Sequence, residues 1–369
     1  MSGVLALAGC AKDSGGGSNP PAGNTQAQGC QLSPVPQASG GGASSGAATT
    51  PAKADASALK VGLAYDIGGR GDASFNDAAA AGLDKAKSDL GLKDARETTA
   101  APNEPEDAKQ SRLRQLAQEG FNPIVTVGFA YAKSVEAVAA QFPNTKFAIV
   151  DDDTVKLPNV TGLVFAEEQG SFLAGVAAAY KSKSCTVGFV GGVDTPLIQK
   201  FQAGFEQGAK AAAANIKIES AYITPAGDFT GFQDPAKGNT VAAGEISRGA
   251  DVVYQAAGAS GKGVFEAAKS KNVLAIGVDS DQYNQKTVEN SRDVIITSML
   301  KRVDVAVFDY IRAVAVNDLT TLPKRFDLKV DGVGYATSGG KIDDIKATLE
   351  AYKSQIIDGK ITVSDKPTK

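Results

Sequence analysis

The chain has 369 residues, a formal net charge of −3 and apolar residues at 43% of its positions, which is enough chain for two domains of ordinary size. Acidic and basic residues are interspersed without a basic patch, so we expect no nucleic-acid partner. Histidine is absent, which excludes Ser-His-Asp and Cys-His catalysis and every metal site built on imidazole.

The first ten residues end in Leu7-Ala8-Gly9-Cys10, which is typical of the bacterial lipobox, whose cysteine becomes the lipidated first residue. An ordinary apolar N-terminus with a chance cysteine is the alternative. A basic region ahead of the apolar run is missing, so we expect the native start to lie upstream. We interpret residues 1–10 as a remnant lipoprotein signal, with Cys10 as the lipid anchor on the extracytoplasmic face of the cell membrane.

Residues 11–57 are dominated by Gly, Ser, Ala and Pro. Such a segment buries too little apolar surface to offset the entropy of ordering, so its composition predicts a flexible tether. Cys30 lies in this segment and is interpreted as a surface thiol, free or paired. The spacing of Cys10, Cys30 and Cys185 indicates neither a zinc site nor a disulfide framework. Cys185 precedes an apolar strand and is expected to be a small buried side chain.

From Leu59 onward, apolar runs alternate with segments of helical spacing. Strands that alternate with helices predict parallel βαβ units. The predicted strands cover residues 61–65, 92–99, 124–127, 146–150, 160–165, 186–190, 216–223, 252–254, 273–278 and 293–301. Helices are predicted between them, among others at 75–90, 104–119, 131–141, 171–180 and 342–357.

The first predicted strand ends at Asp66, and a glycine-rich loop separates it from the next helix. In an open α/β sheet such loops line the crevice at the carboxyl ends of the strands, where ligands bind. The glycine spacing does not match G-x-G-x-x-G, so a dinucleotide is a poor fit. A carboxylate at Asp66, an aromatic face at Phe75 and an amide at Asn76 suit a flat heteroaromatic ligand with hydrogen-bonding edges.

The predicted strand at 146–150 runs into Asp151-Asp152-Asp153. Clustered aspartates can bind a metal, as in calcium-dependent nucleoside hydrolases, so this is the strongest enzymatic feature of the chain. Consecutive residues on an extended chain point to opposite sides, however. We therefore expect Asp151 alone to face a ligand and the other two to be solvated turn residues.

Later strands carry further candidates. The run from Leu274 to Asp279 again ends in an aspartate, and Lys301 follows another apolar strand, although a lysine there is by default a helix-surface residue. Residues 256–263 superficially resemble a P-loop but lack its first glycine and its final Ser or Thr. We interpret Gly258 in this segment as a place where the backbone approaches a ligand.

Together these motifs resemble the basic membrane protein family of nucleoside-binding lipoproteins, the substrate-binding subunits of ABC importers. The resemblance covers residues 58–365, and its motifs occur in the same order at Ser74-Phe75-Asn76, 147–152, 165–175, 277–282 and 297–302. It implies a type I periplasmic-binding-protein fold, with two doubly wound parallel-sheet α/β lobes and a ligand cleft between them. Lobe 1 is expected to comprise residues 58–167 and 285–322, and lobe 2 residues 168–284 and 323–369.

The resemblance also implies which residues contact the base of a nucleoside. Phe75 and Phe232 would stack on the two faces of the base. Asp66 and Asn76 would read its edge.

For the sugar, the resemblance implies that Asp151, Asp279 and Lys301 hold the hydroxyl groups. Asp279 would be the ionic neighbour of Lys301. Gly258 would supply a backbone contact.

These expectations describe a monomer that captures nucleosides, with purines favoured, and delivers them to an ABC permease without a metal, a cofactor or a chemical reaction. A competing interpretation keeps the fold and changes the solute to a sugar, an autoinducer or an amino acid. A nucleoside hydrolase is a less favoured alternative that rests only on the Asp151 cluster. A transcription regulator would carry a helix-turn-helix at the N-terminus, where this chain has its tether.

Overall fold

The computed structural model describes residues 30–37 and 54–367. The first of its two sheets contains five parallel strands in the order β2-β1-β3-β4-β5. These strands are β1 (Lys60–Tyr65), β2 (Asp94–Thr99), β3 (Ile124–Val127), β4 (Phe147–Val150) and β5 (Val160–Leu163).

The second sheet has six strands in the order β11-β10-β9-β8-β6-β7. They are β6 (Thr186–Val193), β7 (Lys217–Thr224), β8 (Val252–Ala256), β9 (Leu274–Asp279), β10 (Ile295–Lys301) and β11 (Val333–Tyr335). All pairs are parallel except that of β11, which runs antiparallel to β10. Read from β7, this sheet repeats the strand order of the first. The two doubly wound lobes predicted from the alternating pattern are therefore confirmed.

The α-helices of the described residues connect these strands. They are α1 (Phe75–Asp89), α2 (Glu106–Gln118), α3 (Ala132–Ala139), α4 (Glu167–Lys181), α5 (Pro196–Ala212), α6 (Pro235–Ser247), α7 (Gly261–Ser270), α8 (Val303–Ala315) and α9 (Lys346–Ile357). Among the described residues, no helix is both long and apolar enough to cross a membrane.

Burial explains why the central strands read as unbroken apolar runs. Every residue of β3, β4 and β6 is buried, as expected for parallel strands whose two faces are both covered by helices. The edge strand β2 instead alternates between exposed and partly buried residues. The strands that end at the cleft are therefore held in rigid, closely packed surroundings.

Three chain segments cross between the lobes, and two of them are joined by hydrogen bonds. The Ala166 amide donates to the carbonyl of Phe326, and the Phe326 amide donates to the carbonyl of Val164. The rings of Phe165 and Phe326 stack with centroids 5.1 Å apart. The third crossing, at Arg302, connects β10 of the second sheet to α8. These crossings form the hinge about which the lobes can rotate.

The predicted lobe boundaries need one correction. Residues 295–301 were expected in lobe 1, but they form β10, which pairs with β9 and β11 in the second sheet. Only after Arg302 does the chain return to lobe 1, where α8 packs on α1. At that contact, a β-carbon added to Gly82 would lie 2.4 Å from the carbonyl oxygen of Asp304. A βα unit thus straddles the hinge, and its strand and helix belong to different lobes.

The interpretation of the cysteines was also wrong in one respect. Cys30 and Cys185 form a disulfide, although their spacing indicated no disulfide framework. Residues 30–37, which composition assigned to the tether, are docked on lobe 2 and are called the strap below. The Ser33 amide donates to the Ala212 carbonyl at 2.7 Å, and Leu32 forms a β-bridge with Ala213. Cys185 is buried, as expected, at 7% exposure.

Candidate ligand-binding site

The strand order places the site. In each sheet the chain reverses its winding direction between the first and third strands, and a ligand crevice forms where the loops after those strands diverge. Asp66 follows β1, and Gly128 follows β3, at this point of lobe 1. The segment after β8, which contains Gly258, occupies the equivalent point of lobe 2. The two crevices face each other across the interlobe cleft.

All eight residues predicted from the sequence line one cavity, which we call the inner cavity. They are Asp66, Phe75, Asn76, Asp151, Phe232, Gly258, Asp279 and Lys301. The cavity has a volume of about 60 Å³, or room for only a few water molecules. A larger ligand can therefore enter only when the lobes move apart. Contact of these residues with a ligand remains a prediction.

Lys301 lies at the centre of a buried acidic cluster. Its ammonium group is 2.6 Å from Asp151 and 3.3 Å from Glu167, and all three side chains are at most 3% exposed. Lys200 lies 3.7 Å from Glu167. The cluster joins lobe 1, through Asp151, to the crossing segment at Glu167 and to the end of β10. It therefore ties both lobes to the hinge.

The electrostatics of the cluster follow from its composition. Burial disfavours the charged form of Lys301, but Asp151, Glu167 and Asp279 together raise its pKa above the ordinary value. Burial also raises the pKa of Asp151 to about 7, against the attraction of Lys301. Asp279 is thus an ionic neighbour of Lys301, as expected, but the direct ion pairs are with Asp151 and Glu167.

Aromatic rings enclose the same ammonium group. Its nitrogen lies 5.0 Å from the ring centroid of Phe75, 5.1 Å from that of Phe165 and 5.5 Å from that of Phe201. Cations are attracted to the faces of aromatic rings at such distances. Phe75, predicted to stack on a base, thus also packs against Lys301.

Asp151 and Asp279 share an unusual backbone conformation. Their φ angles are 72° and 62°, in the left-handed region that non-glycine residues seldom adopt. Each aspartate turns the chain sharply at the end of its strand, β4 or β9, so that the carboxylate is directed into the cleft. Asp152 instead accepts hydrogen bonds from Thr154, and the side chain of Asp153 is 64% exposed. This agrees with the expectation that Asp151 alone faces the cleft.

Asp66 and Asn76 form the other end of the inner cavity. Asp66 accepts a hydrogen bond from the Ile67 amide at 2.8 Å, and burial raises its pKa to about 6. The Asn76 amide group donates to Asp72 and to the Ile67 carbonyl. Its side-chain oxygen is buried and has no hydrogen-bond partner among the described residues. This end therefore offers a carboxylate and a free amide oxygen, both acceptors for N–H groups.

The loop before α1 touches the opposite lobe directly. Ser74 donates to the carboxylate of Asp279 at 2.5 Å, and Ser280 donates to the Ser74 carbonyl at 3.0 Å. The Gln282 amide donates to the carbonyl of Ala73, whose methyl group packs in an apolar cluster of lobe 2 with Phe265. The lobes are therefore closed on each other beside the inner cavity.

Several lining residues were missed by the sequence analysis. Leu197, Ile198 and Phe201 line the inner cavity from α5, and Phe129 lines it from the turn after β3. Glu167, which pairs with Lys301, was not among the predicted site residues either. The sequence analysis considered residues at the ends of strands, whereas the residues of α5 line the cleft from the side of a helix. Only the closeness of Phe129 to the end of β3 was a usable signal.

The chain matches a known protein family over most of its length. A family model described as ABC transporter substrate-binding protein, PnrA-like, matches residues 58–366. The chain belongs to this PnrA-like family. The resemblance to substrate-binding subunits of ABC importers is confirmed, and the chain is a substrate-binding protein of that class.

Individual relatives agree with the PnrA-like assignment. The ABC transporter nucleoside-binding protein BmpA of Lactococcus lactis is 34% identical over 328 residues, covering 84% of this chain and 90% of that protein. An uncharacterized lipoprotein of Pyrococcus abyssi is 35% identical over 318 residues, covering 82% and 74%. A crystal structure of an ABC solute-binding protein from Aeropyrum pernix K1 superposes with a TM-score of 0.68 at 27% identity, covering 82% and 92%.

Proposed function

We propose that this protein captures an uncharged nucleoside, with purines favoured, and delivers it unchanged to an ABC permease. The observation that carries the proposal is the pairing of Phe75 from lobe 1 with Phe232 from lobe 2 in one cavity whose ends bear different polar groups. Two rings that approach from opposite lobes suit a flat base. The name of the Lactococcus lactis relative supports the same ligand class.

The charges around the inner cavity support a nucleoside over a nucleotide. Its lining contains one ammonium group, on Lys301, and four carboxylates, on Asp66, Asp72, Asp151 and Asp279. Like charges repel strongly where little water screens them, so a phosphate ester is disfavoured. We propose that Asp151, Asp279 and Lys301 bind the sugar hydroxyls and that Gly258 adds a backbone contact. The cavity wall at Asp66 and Asn76 is left for the edge of the base.

The decisive test compares nucleosides with free ribose by isothermal titration calorimetry. Aromatic–base stacking contributes about 1–3 kcal/mol in nucleic-acid systems, so Phe232→Ala should weaken nucleoside binding by about 10- to 100-fold. Ribose affinity should not change, and circular dichroism should show an intact fold. Equal losses for both ligands would assign Phe232 to packing. The recovered nucleoside should contain no free base, since release of base would favour a hydrolase.

The raised pKa of Asp66 indicates that ligand binding should depend on pH. An ionised carboxylate accepts N–H groups of a base more strongly than the neutral acid does, and burial raises the pKa of Asp66 to about 6. Affinity should therefore fall as the pH drops through about 6, because the free protein takes up a proton there that the complex excludes. Asp66→Asn should bind less tightly at pH 8 and should show a smaller fall in affinity near pH 6, with the remaining dependence due to Asp151, whose pKa burial also raises. A variant with the wild-type pH profile would place another group in control.

We further propose that the protein is a monomer held to the membrane by a lipid on Cys10, which lies outside the described residues. The lipobox-like Leu7-Ala8-Gly9-Cys10 motivates this proposal. When the gene is expressed with a complete native signal, Cys10→Ala should move the protein from the membrane fraction to the medium. Cys30→Ala is the matched control and should leave fractionation unchanged. Membrane association that survives Cys10→Ala would exclude the anchor.

A further inference from the structure

A second cavity adjoins the inner one on the far side of Asp66, and we call it the outer cavity. It is lined from lobe 1 by Ala101, Asn103, Glu104, Lys109 and Ala130 and from lobe 2 by Gly227 and Phe229. Its volume is about 290 Å³. Asp66 and Ile67 line both cavities, so the base-reading carboxylate stands in their common wall.

The outer cavity lies at the base end of the proposed ligand rather than at the sugar end. Asp66 follows β1 and Asp151 follows β4, and these strands are separated only by β3. Two strand spacings set the carboxylates about 10 Å apart along the edge of the sheet. Lys301, beside Asp151, contacts Glu167 of a crossing segment at 3.3 Å. The sugar end is therefore next to the hinge, and the outer cavity lies away from it.

The outer cavity has its own closure between the lobes. Phe129 of lobe 1, which lines the inner cavity, meets Phe229 of lobe 2, which lines the outer one, with ring centroids 5.8 Å apart. Alanine methyl groups and the Phe229 ring make one part of the wall apolar. The Lys109 ammonium group donates to the Ala130 carbonyl at 3.2 Å. The rest of the wall is polar, with Asn103 and the Glu104 carboxylate beside Lys109. The walls thus suit an uncharged group that passes beside Asp66.

We propose that the protein accepts purine nucleosides that carry a single substituent on the exocyclic nitrogen of the base, with that substituent in the outer cavity. The inference rests on the proposed function and extends it to modified nucleosides. A singly substituted exocyclic nitrogen retains one N–H group, which can donate to Asp66 while the substituent points past it. A doubly substituted nitrogen has no N–H group left. Affinity should therefore depend more on whether this nitrogen keeps an N–H group than on the size of its substituent.

Calorimetry on the whole protein tests this with matched ligands. The parents are adenosine and guanosine, and the analogues are N6-benzyladenosine, N6,N6-dimethyladenosine, N2-benzylguanosine and N2,N2-dimethylguanosine. For the parent that binds more tightly, the benzyl analogue should bind within about tenfold, a difference of 1.4 kcal/mol or less. The smaller dimethyl analogue should lose about 10- to 100-fold because the hydrogen bond to a charged group is gone. A dimethyl analogue that binds better than the benzyl analogue would overturn the inference.

A variant that fills the outer cavity provides the protein-side control. Ala101 is exposed and its amide bond to Glu104 does not involve its side chain, so Ala101→Phe should fold normally. It should keep the parent affinity and weaken the benzyl analogue at least about tenfold. Ala130→Leu is the second filling variant should the first be unstable. An unchanged benzyl affinity in a folded filling variant would place the substituent elsewhere.

Different results would contradict the proposed function and the role of the outer cavity. If neither parent nucleoside binds, the proposed function is wrong and the inference falls with it. If a parent binds but its benzyl analogue is weakened more than about 100-fold in the wild-type protein, only the inference about the outer cavity is wrong.

Discussion

Lys301→Met should lower the free energy of unfolding by about 3–5 kcal/mol, the range for a buried ion pair that loses one partner. Asp151 and Glu167 lie 2.6 and 3.3 Å from the ammonium group, and each has at most 3% of its side chain exposed. Without Lys301, both carboxylates remain buried but lose the positive charge that offsets the cost of burying them. Methionine keeps the length and apolar surface of the lysine side chain, so the loss reports the charge. Ligand binding should also be lost, because Lys301 is proposed to bind the sugar hydroxyls.

Chemical denaturation with guanidinium measures this effect, and pH identifies its cause. A carboxyl group whose pKa is raised in the folded state binds a proton more readily there than in the unfolded chain. Burial already raises the pKa of Asp151 to about 7 with Lys301 present. Stability of the variant should therefore recover as the pH is lowered from 8 towards 5. A deficit that does not depend on pH would indicate lost packing.

Lys85→Met is the matched control for this experiment. Lys85 also pairs with an aspartate, Asp89, but the two side chains are 55% and 44% exposed. Solvent screens an exposed pair, so it contributes little to stability. Lys85→Met should therefore lower the free energy of unfolding only slightly, and this loss should change little with pH. A control that destabilises as much as Lys301→Met would show that burial of the pair is not what matters.

Replacing Cys30 and Cys185 together with serine should lower the free energy of unfolding by about 2–4 kcal/mol. The bond joins residues 155 positions apart, so it removes many conformations from the unfolded chain. It also fastens the strap, which is otherwise held by hydrogen bonds to residues 212–215 and Gln355 and by the packing of Leu32 against the core.

The disulfide prediction has internal controls. Cys30→Ser, Cys185→Ser and the double variant break the same bond, so their losses should agree within about 0.5 kcal/mol rather than add. Reductant should shift the guanidinium midpoint of the wild-type protein to that of the variants and leave the variants unchanged. Hydrogen exchange should speed up at the Ser33 amide, which donates to Ala212. A wild-type midpoint that survives complete reduction would contradict the prediction.

The sequence permitted a detailed prediction of the site because its polar residues stand at strand ends. Asp66, Asp151 and Asp279 each end an apolar run, and carboxyl ends of parallel strands meet at one edge of a sheet. That rule alone brings the three carboxylates to the cleft. The family resemblance added Phe232, which no local pattern singled out. The structure then brings all of them to one cavity.

Features that depend on long-range geometry were beyond such reasoning. Phe201 reaches the cavity from the side of α5, and nothing in a helical pattern tells which face meets a cleft between lobes. The Cys30–Cys185 bond joins a segment of tether-like composition to the start of β6, so composition argued against it. β10 was placed in the wrong lobe because the alternation of strands and helices does not show where a βα unit crosses the hinge.

The left-handed conformation of Asp151 and Asp279 has an evolutionary consequence. A non-glycine residue held there costs of the order of 1–3 kcal/mol, a penalty that glycine largely avoids. Among the described residues the Asp279 carboxylate accepts a hydrogen bond from Ser74 and forms no direct ion pair with a lysine, so drift under selection for folding alone should move position 279 towards glycine or asparagine. Under the proposed role of Asp279 in binding the sugar, aspartate persists while the ligand is needed. Loss of this side chain in a descendant would accordingly record the end of transport in a lineage that still makes a folded protein.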